Sequence, residues 1–121
     1  MESINRFRPE SEFLTDEGCH IIELRNVEDD PNCSIARARV RPGVETKRHC
    51  LRGTVERYVI LEGAGEVEVG NEPPVSVAPF DVVHIPAGAR QRIRNIGFTD
   101  LVFLCICTPR FRPEAYEELE G

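Results

Sequence analysis

The sequence predicts an all-β fold, in which many short strands form a sandwich or a barrel around one core. Apolar and polar residues alternate with a period of two in several segments, which is the spacing of a half-buried strand. Glycine, proline, asparagine and aspartate separate these segments at short intervals, as turns do in all-β domains. Only one segment, near the C-terminus, is predicted to be helical.

Length and composition restrict the class of protein. The 121 residues fit one domain, which we place at 1–121 with a core barrel over about 19–108. With 15 Lys and Arg against 21 Asp and Glu, the net charge of -6 argues against nucleic-acid binding, which needs a basic surface. No apolar run approaches the roughly 20 residues of a membrane helix, and the N-terminus lacks the features of a signal peptide. We therefore expect a cytoplasmic protein with no membrane and no nucleic-acid partner.

In chain order, residues 1–18 are polar and mixed, and the first strand is predicted over 19–24. The turn-forming residues of 29–32 separate it from a second strand over 34–41, whose residues alternate cleanly. One face of this second strand carries small residues that leave room in the core: Ala36, Ala38 and Val40.

The stretch 43–63 is predicted to be a hairpin, because turns at Pro42-Gly43 and at 62–65 bracket a polar segment and an apolar run. A short helix is predicted over 114–120, since Pro113 stands near its start and acidic residues occupy its first turn. Between them, further strands are predicted at 66–70, 75–78, 81–85, 91–95 and 101–107.

Five cysteines, without a Cys-x-x-Cys pair, are expected to be free thiols in a reducing cytosol. Cys50 directly follows His49, and neighbours in a strand point to opposite faces, so a Cys–His catalytic pair is not expected. By the same parity argument His84 is expected on the outer face, because Val83 and Ile85 have the parity of the core.

Four residues in the central stretch have a familiar spacing. Gly43, His49, Glu56 and Gly63 match the first motif of the cupins, Gly-x5-His-x-His-x3,4-Glu-x6-Gly, except at its second histidine. This first motif occupies 43–63. On these residues the chain resembles a small single-domain cupin of the conserved-barrel type.

A second stretch, 80–95, extends the resemblance. Pro86, Gly88 and Asn95 match the second cupin motif, Gly-x5-Pro-x-Gly-x2-His-x3-Asn. The resemblance implies a double-stranded β-helix, or jelly-roll, cupin barrel, here with the short C-terminal helix. Gly88 lies in the turn after Pro86 and is expected to have a positive φ.

Three motif positions are substituted in this chain. Leu51 replaces the second histidine of motif one, Gln91 the histidine of motif two, and Phe80 the first glycine of motif two. In metal-binding cupins three histidines and a glutamate hold the ion. Of that set, only His49 and Glu56 remain.

The resemblance implies that His49, Glu56 and Gln91 converge at the barrel mouth. These three are the candidate ligands for a divalent metal ion such as Zn, Mn, Fe or Ni. The alternative, which we favour, is a metal-free pocket in which Glu56 accepts hydrogen bonds from His49 and Gln91. The candidate ligand-binding residues are His49, Leu51, Glu56, Tyr58 and Gln91.

Two functions remain open at this stage, because cupins carry many chemistries. The favoured hypothesis is a preformed barrel pocket that binds a small polar or anionic molecule without the usual cupin metal. The alternative is a metal-dependent enzyme, an isomerase or a dioxygenase, with a divalent ion on His49, Glu56 and Gln91.

Two surface features bear on partners. Rows of arginines at 37, 39, 41 and at 90, 92, 94 could hold an anion, but pairing with glutamates such as Glu66 and Glu68 on a neighbouring strand is favoured. The strand at 101–107 is apolar on both faces, and one face needs cover outside the barrel. We therefore predict a homodimer.

Overall fold

The structure is a computed structural model that describes residues 3–119. In this range the chain forms strands that are joined by turns, with two short 3₁₀ segments at Pro9–Ser11 and Pro113–Ala115. No helix within 3–119 has the length and apolar character needed to cross a bilayer. The strands are β1 Phe13–Leu14, β2 His20–Arg25, β3 Ser34–Val40, β4 His49–Leu51, β5 Val55–Glu62, β6 Gly65–Val69, β7 Val75–Val77, β8 Val82–Ile85, β9 Gln91–Asn95, β10 Leu101–Thr108 and β11 Tyr116–Glu118.

The strands form two antiparallel sheets that face each other. One sheet has the order β1-β2-β3-β10-β5-β8, and the other has the order β11-β4-β9-β6-β7. Beyond β3 the chain passes repeatedly from one sheet to the other, so that β10 pairs with β3 on one side and with β5 on the other. This arrangement confirms the predicted all-β jelly roll. The predicted hairpin over 43–63 is wrong, because β4 and β5 belong to different sheets and do not pair.

The core lies between the sheets and is centred on β10. Phe103 is 2% exposed and lies opposite Ala38 of β3 and Ile60 of β5. The small side chains of β3 fill less of the interior than larger ones would. The small core face predicted for β3 thus adjoins the cavity described below, which Ala36 and Ala38 line.

The predicted C-terminal helix is wrong. After the 3₁₀ turn Pro113–Ala115 the chain becomes β11, which pairs antiparallel with β4 and sets Tyr116 opposite Leu51. A helix of about two turns is marginal without tertiary support. Pairing with β4 instead supplies backbone partners, and further bonds from Arg52 N–H to Ala115 O (2.8 Å) and from Leu119 N–H to Arg48 O (2.9 Å) flank the pair.

The turn after β8 has the predicted backbone geometry, because Gly88 has a φ of +77°. A Cβ at this position would meet no heavy atom within 4 Å, so a substitution is penalised only by its backbone conformation. We expect Gly88→Val to lower the free energy of unfolding by about 1–3 kcal/mol, measured by urea denaturation. Gly88→Asn is the control, and its free energy of unfolding should fall less than that of Gly88→Val, since asparagine adopts the left-handed region more readily than valine. Equal stability of the valine variant and the parent would contradict this account.

Candidate functional site

A cavity of about 510 Å³ lies between the two sheets and is open at one end. Its deep wall includes Ala38, Tyr58 and Phe103, which are at most 3% exposed. Its exposed lining residues, Phe13 and Pro113 among them, mark the mouth. The mouth is therefore formed by segments near the two ends of the described chain.

Four of the five predicted ligand-binding residues line this cavity: His49, Leu51, Glu56 and Tyr58. The fifth, Gln91, is 1% exposed but is not part of the cavity wall. Its side-chain oxygen accepts a hydrogen bond from the Tyr58 hydroxyl. Gln91 thus holds a wall residue in place, while its own Nε2 has no hydrogen-bond partner among the described residues.

Glu56 is a buried acid in the cavity wall. It lies on β5 opposite Cys107 of β10 and is 7% exposed. The Cys107 thiol donates a weak hydrogen bond to Oε2 at 3.8 Å, whereas Oε1 has no partner among the described residues. Burial raises the pKa of Glu56 to about 7, and the neighbouring Gln91 amide and the His49 ring oppose that rise.

His49 is held by three contacts. Its Nδ1 lies 2.8 Å from the Lys47 carbonyl oxygen, and because a carbonyl only accepts, Nδ1–H donates. Nε2 lies 3.5 Å from Glu17 Oε2. The ring stacks on Tyr116 with centroids 5.1 Å apart. The predicted hydrogen bond from His49 to Glu56 is therefore wrong, because the ring's donor is directed to the backbone of its own chain segment.

Two residues of the site were missed at the sequence level. Glu17 precedes β2 in a segment with no periodic pattern, and burial raises its pKa to about 7. Tyr116 fell within the predicted helix, but on β11 it reaches the cavity, and burial raises its pKa to about 12. The register of β11 against β4 sets Tyr116 opposite Leu51, from where its ring stacks diagonally on His49, and no local sequence signal gives that register.

Three thiols also face the cavity, those of Cys19, Cys105 and Cys107. Burial raises the pKa of each of them above the usual range for a thiol. They are therefore neutral at physiological pH and act as small apolar surface. Cys50 is buried but does not line the cavity, and His84 is exposed on β8, as predicted for both.

Three arginines of the two rows, Arg39, Arg92 and Arg94, form ion pairs with carboxylates outside the cavity. Arg92 and Arg94 of β9 lie opposite Glu68 and Glu66 of β6 and form ion pairs with them. The distance in the second pair is 2.9 Å. Arg39 contacts Glu12 and Asp100. The favoured prediction of cross-strand pairing is confirmed for the β9 row.

The cavity does not fit the metal ion that the motif would imply. Only His49 and Glu56 of the three candidate ligands are in its wall, and the apolar Leu51, 4% exposed, occupies a third ligand position. Within residues 3–119, no three or more His, Cys, Asp or Glu side chains are grouped so as to hold an ion. Gln91, the remaining candidate, is bonded to Tyr58.

The sequence matches known proteins over the region that carries both motifs. Residues 36–107 match the family described as Cupin domain. The chain is 34% identical to Uncharacterized protein MJ1618 of Methanocaldococcus jannaschii over 110 residues. The aligned region covers 89% of this chain and 87% of that protein.

Solved structures share the same fold. A Streptomyces PAC13 variant with uridine superposes with a TM-score of 0.81 at 16% identity, covering 99% of this chain and 92% of that chain. A predicted oxalate decarboxylase from Thermotoga maritima gives a TM-score of 0.72 at 27% identity, covering 82% of this chain and 90% of that chain. Their names differ in function, so the shared fold by itself selects no activity.

Proposed function

Since this chain belongs to the cupin family, we propose that it binds a small molecule in the barrel cavity and holds it without a metal ion. The cavity volume of about 510 Å³ is within the range of sites for small organic ligands. Its wall is mostly apolar, with a few polar groups among aromatic and aliphatic side chains. This combination is typical of a preformed ligand site.

The observation that carries the proposal is the unpartnered oxygen of Glu56. Oε1 is buried in the cavity wall and makes no hydrogen bond of good geometry to the described residues, although the Gln91 amide is near enough to lower the pKa of Glu56. An unsatisfied buried polar atom destabilises the fold by about 1–3 kcal/mol. A ligand that donates a hydrogen bond to Oε1 would remove this cost, so binding to this atom is favoured.

The charged side chains that line the cavity restrict the ligand class that was expected from the sequence, a polar or anionic molecule. Among the described lining residues there is no Lys or Arg, and four side chains carry carboxyl groups: Asp16, Glu17, Glu23 and Glu56. An anionic ligand would face these acids without a cation to pair with. We therefore replace the expected polar or anionic ligand by a polar one that donates hydrogen bonds.

Filling the cavity tests this proposal. A library of small neutral and basic molecules is screened by native mass spectrometry against the parent and against Ala38→Leu, which adds bulk to the cavity wall. Ala87→Leu adds the same bulk at an exposed position outside the cavity and is the control. We expect ligands that bind the parent and Ala87→Leu but not Ala38→Leu. Ligands that bind all three equally, or a library without a ligand, would contradict the proposal.

The metal-dependent isomerase or dioxygenase is the alternative function. It requires His49, Glu56 and Gln91 to meet at one ion. The hydrogen bond from Tyr58 to Gln91 and the contact of His49 with Glu17 both compete with such a geometry. The metal measurement given in the Discussion separates the two functions.

We further propose that the protein is a homodimer through the outer face of β10. Leu104 and Ile106 are half-buried on the side of β10 opposite Phe103. Of their four register partners, Ile35 and Val59 extend this apolar face, and Arg37 and Arg57 border it. Light scattering at micromolar concentration should therefore give the mass of a dimer. Leu104→Glu should shift the protein to a monomer, whereas the exposed control Glu62→Lys should not. A monomeric parent would refute this assembly.

A further inference from the structure

We infer that the cavity binds an organic cation, a primary amine with a compact apolar body, and that Glu17 and Glu56 accept its N–H donors. The inference rests on the proposed function, because it names the ligand class of the same cavity. Three features of the described residues support it: the charges of the wall, the orientation of the acceptors, and the aromatic side chains around them.

The carboxyl groups of the wall have no cation in it to hold them ionised, and burial raises the pKa of both Glu17 and Glu56 to about 7. Four carboxyl side chains line the cavity, and no Lys or Arg is among the described lining residues. The guanidinium groups of Arg39 and Arg92 form ion pairs with carboxylates that do not line the cavity. Arg39 pairs with Glu12 and Asp100, and Arg92 pairs with Glu68. A cationic ligand would supply the missing charge in a setting where a charge pair is weakly screened.

The arrangement of Glu17 and His49 brings two acceptors together. Because His49 Nδ1–H donates to the Lys47 carbonyl, Nε2 is the ring atom that faces Glu17 Oε2, at 3.5 Å. With a neutral ring, this contact holds at most the single proton of the Glu17 carboxyl, whose pKa burial raises to about 7. An ammonium group has three N–H donors and can satisfy both acceptors at once.

Glu56 provides an independent acceptor in the same cavity. It is 7% exposed, and its Oε1 has no partner among the described residues. Glu17 and Glu56 are close enough for the charge of one to raise the pKa of the other. An ammonium group in the cavity would donate a charge-assisted hydrogen bond to the free oxygen of Glu56 and lie within the field of Glu17, and such hydrogen bonds are about twice as strong as neutral ones.

Aromatic rings form much of the remaining wall, and they suit both parts of an amine. A ring face attracts a cation within about 6 Å of its centroid, and ring surface also packs against an apolar body. Two of the rings, Tyr58 and Phe103, contact each other with centroids 4.5 Å apart. The aromatic lining residues are Phe13, Tyr58, Phe103, Phe111 and Tyr116.

Three probes that share one ring separate charge from shape. Cyclohexylamine, cyclohexanol and cyclohexanecarboxylate are titrated into the whole protein by calorimetry at about pH 8, where the amine is a cation and the acid an anion. We expect the amine to bind about ten- to a hundredfold more tightly than the alcohol, the range for hydrogen bonds to charged groups. The carboxylate should show no binding.

Variants that remove a carboxylate charge show which residues cause the preference for the amine over the alcohol. Glu17→Gln and Glu56→Gln keep the shape of the side chain, and each should lose most of the preference for the amine while still binding the alcohol. Glu62→Gln removes an exposed carboxylate outside the cavity and should keep the full preference. Retained binding of the alcohol shows that the first two variants are folded.

Equal binding of amine and alcohol would overturn the inference and leave the proposed small-molecule site intact. Tighter binding of the carboxylate would overturn it as well, as would an amine preference that survives both cavity variants. If none of the probes binds, the inference fails, and the library screen with Ala38→Leu decides separately on the proposed function.

Discussion

The double variant Leu51→His, Gln91→His is expected to bind nickel or cobalt ions roughly a hundredfold or more tightly than the parent. Position 51 is in the cavity wall, and Gln91 lies directly opposite His49 in the register of β4 and β9. With both histidines, His49 and Glu56 would become part of a set of three imidazoles and one carboxylate. Affinity should rise in the order manganese, iron, cobalt, nickel.

Calorimetry on protein without a histidine tag measures both the parent and the double variant. Leu51→His alone is the matched control. Its affinity for the metal ion should rise less than that of the double variant, because it leaves the amide of Gln91 bonded to Tyr58. Tight stoichiometric binding by the parent would refute the metal-free site and support the metal-dependent enzyme. If the double variant gains nothing, residues 51 and 91 do not converge with His49 and Glu56.

Gly63→Ala is expected to lower the free energy of unfolding by about 3–5 kcal/mol, from a strained backbone and overpacking together. Gly63 has a φ of +88°. A Cβ there would lie 2.7 Å from the Asp100 carbonyl oxygen and 2.9 Å from Leu101 Cα. Both neighbours are backbone atoms at the start of β10, so relief requires the central strand of the sheet to move.

Gly43→Ala is the matched control for this variant. Gly43 also has a positive φ, of +78°, but a Cβ there would meet nothing within 4 Å. The free energy of unfolding of Gly43→Ala should fall by only about 1–3 kcal/mol, the cost of the strained backbone conformation alone. Urea denaturation of the two variants measures the difference. Equal losses would show that the contact with Asp100 is not a constraint.

These two glycines show which features of the turns could be predicted from the sequence. Both are motif positions, and spacing predicted a turn at each, but it carried no information about what each turn packs against. Phe80 stands where the motif has glycine, and it has a φ of +72°, a conformation that favours glycine. Phe80 is 81% exposed, so its side chain meets little of the protein there.

The site was predictable where it lies on strands. Alternation and motif spacing together placed His49, Leu51, Glu56 and Tyr58 in one cavity, since parity decides which face a strand residue occupies. Glu17 lies in a loop, where no periodicity applies. Tyr116 depends on a pairing between β11 and β4 across more than half the chain, and local propensity favoured a helix there instead.

The position of the mouth has a consequence for how this barrel can change its ligand. Glu17 and Tyr116 lie outside the stretch 36–107 that matches the family, whereas the floor residues Tyr58 and Phe103 lie within it. Recognition is thus divided along the chain, with Glu56 inside the family-matched stretch and Glu17 and Tyr116 in the segments that flank it. Exchanging the two flanking segments between related proteins should therefore alter ligand preference through Glu17 and Tyr116 while the barrel and Glu56 are kept.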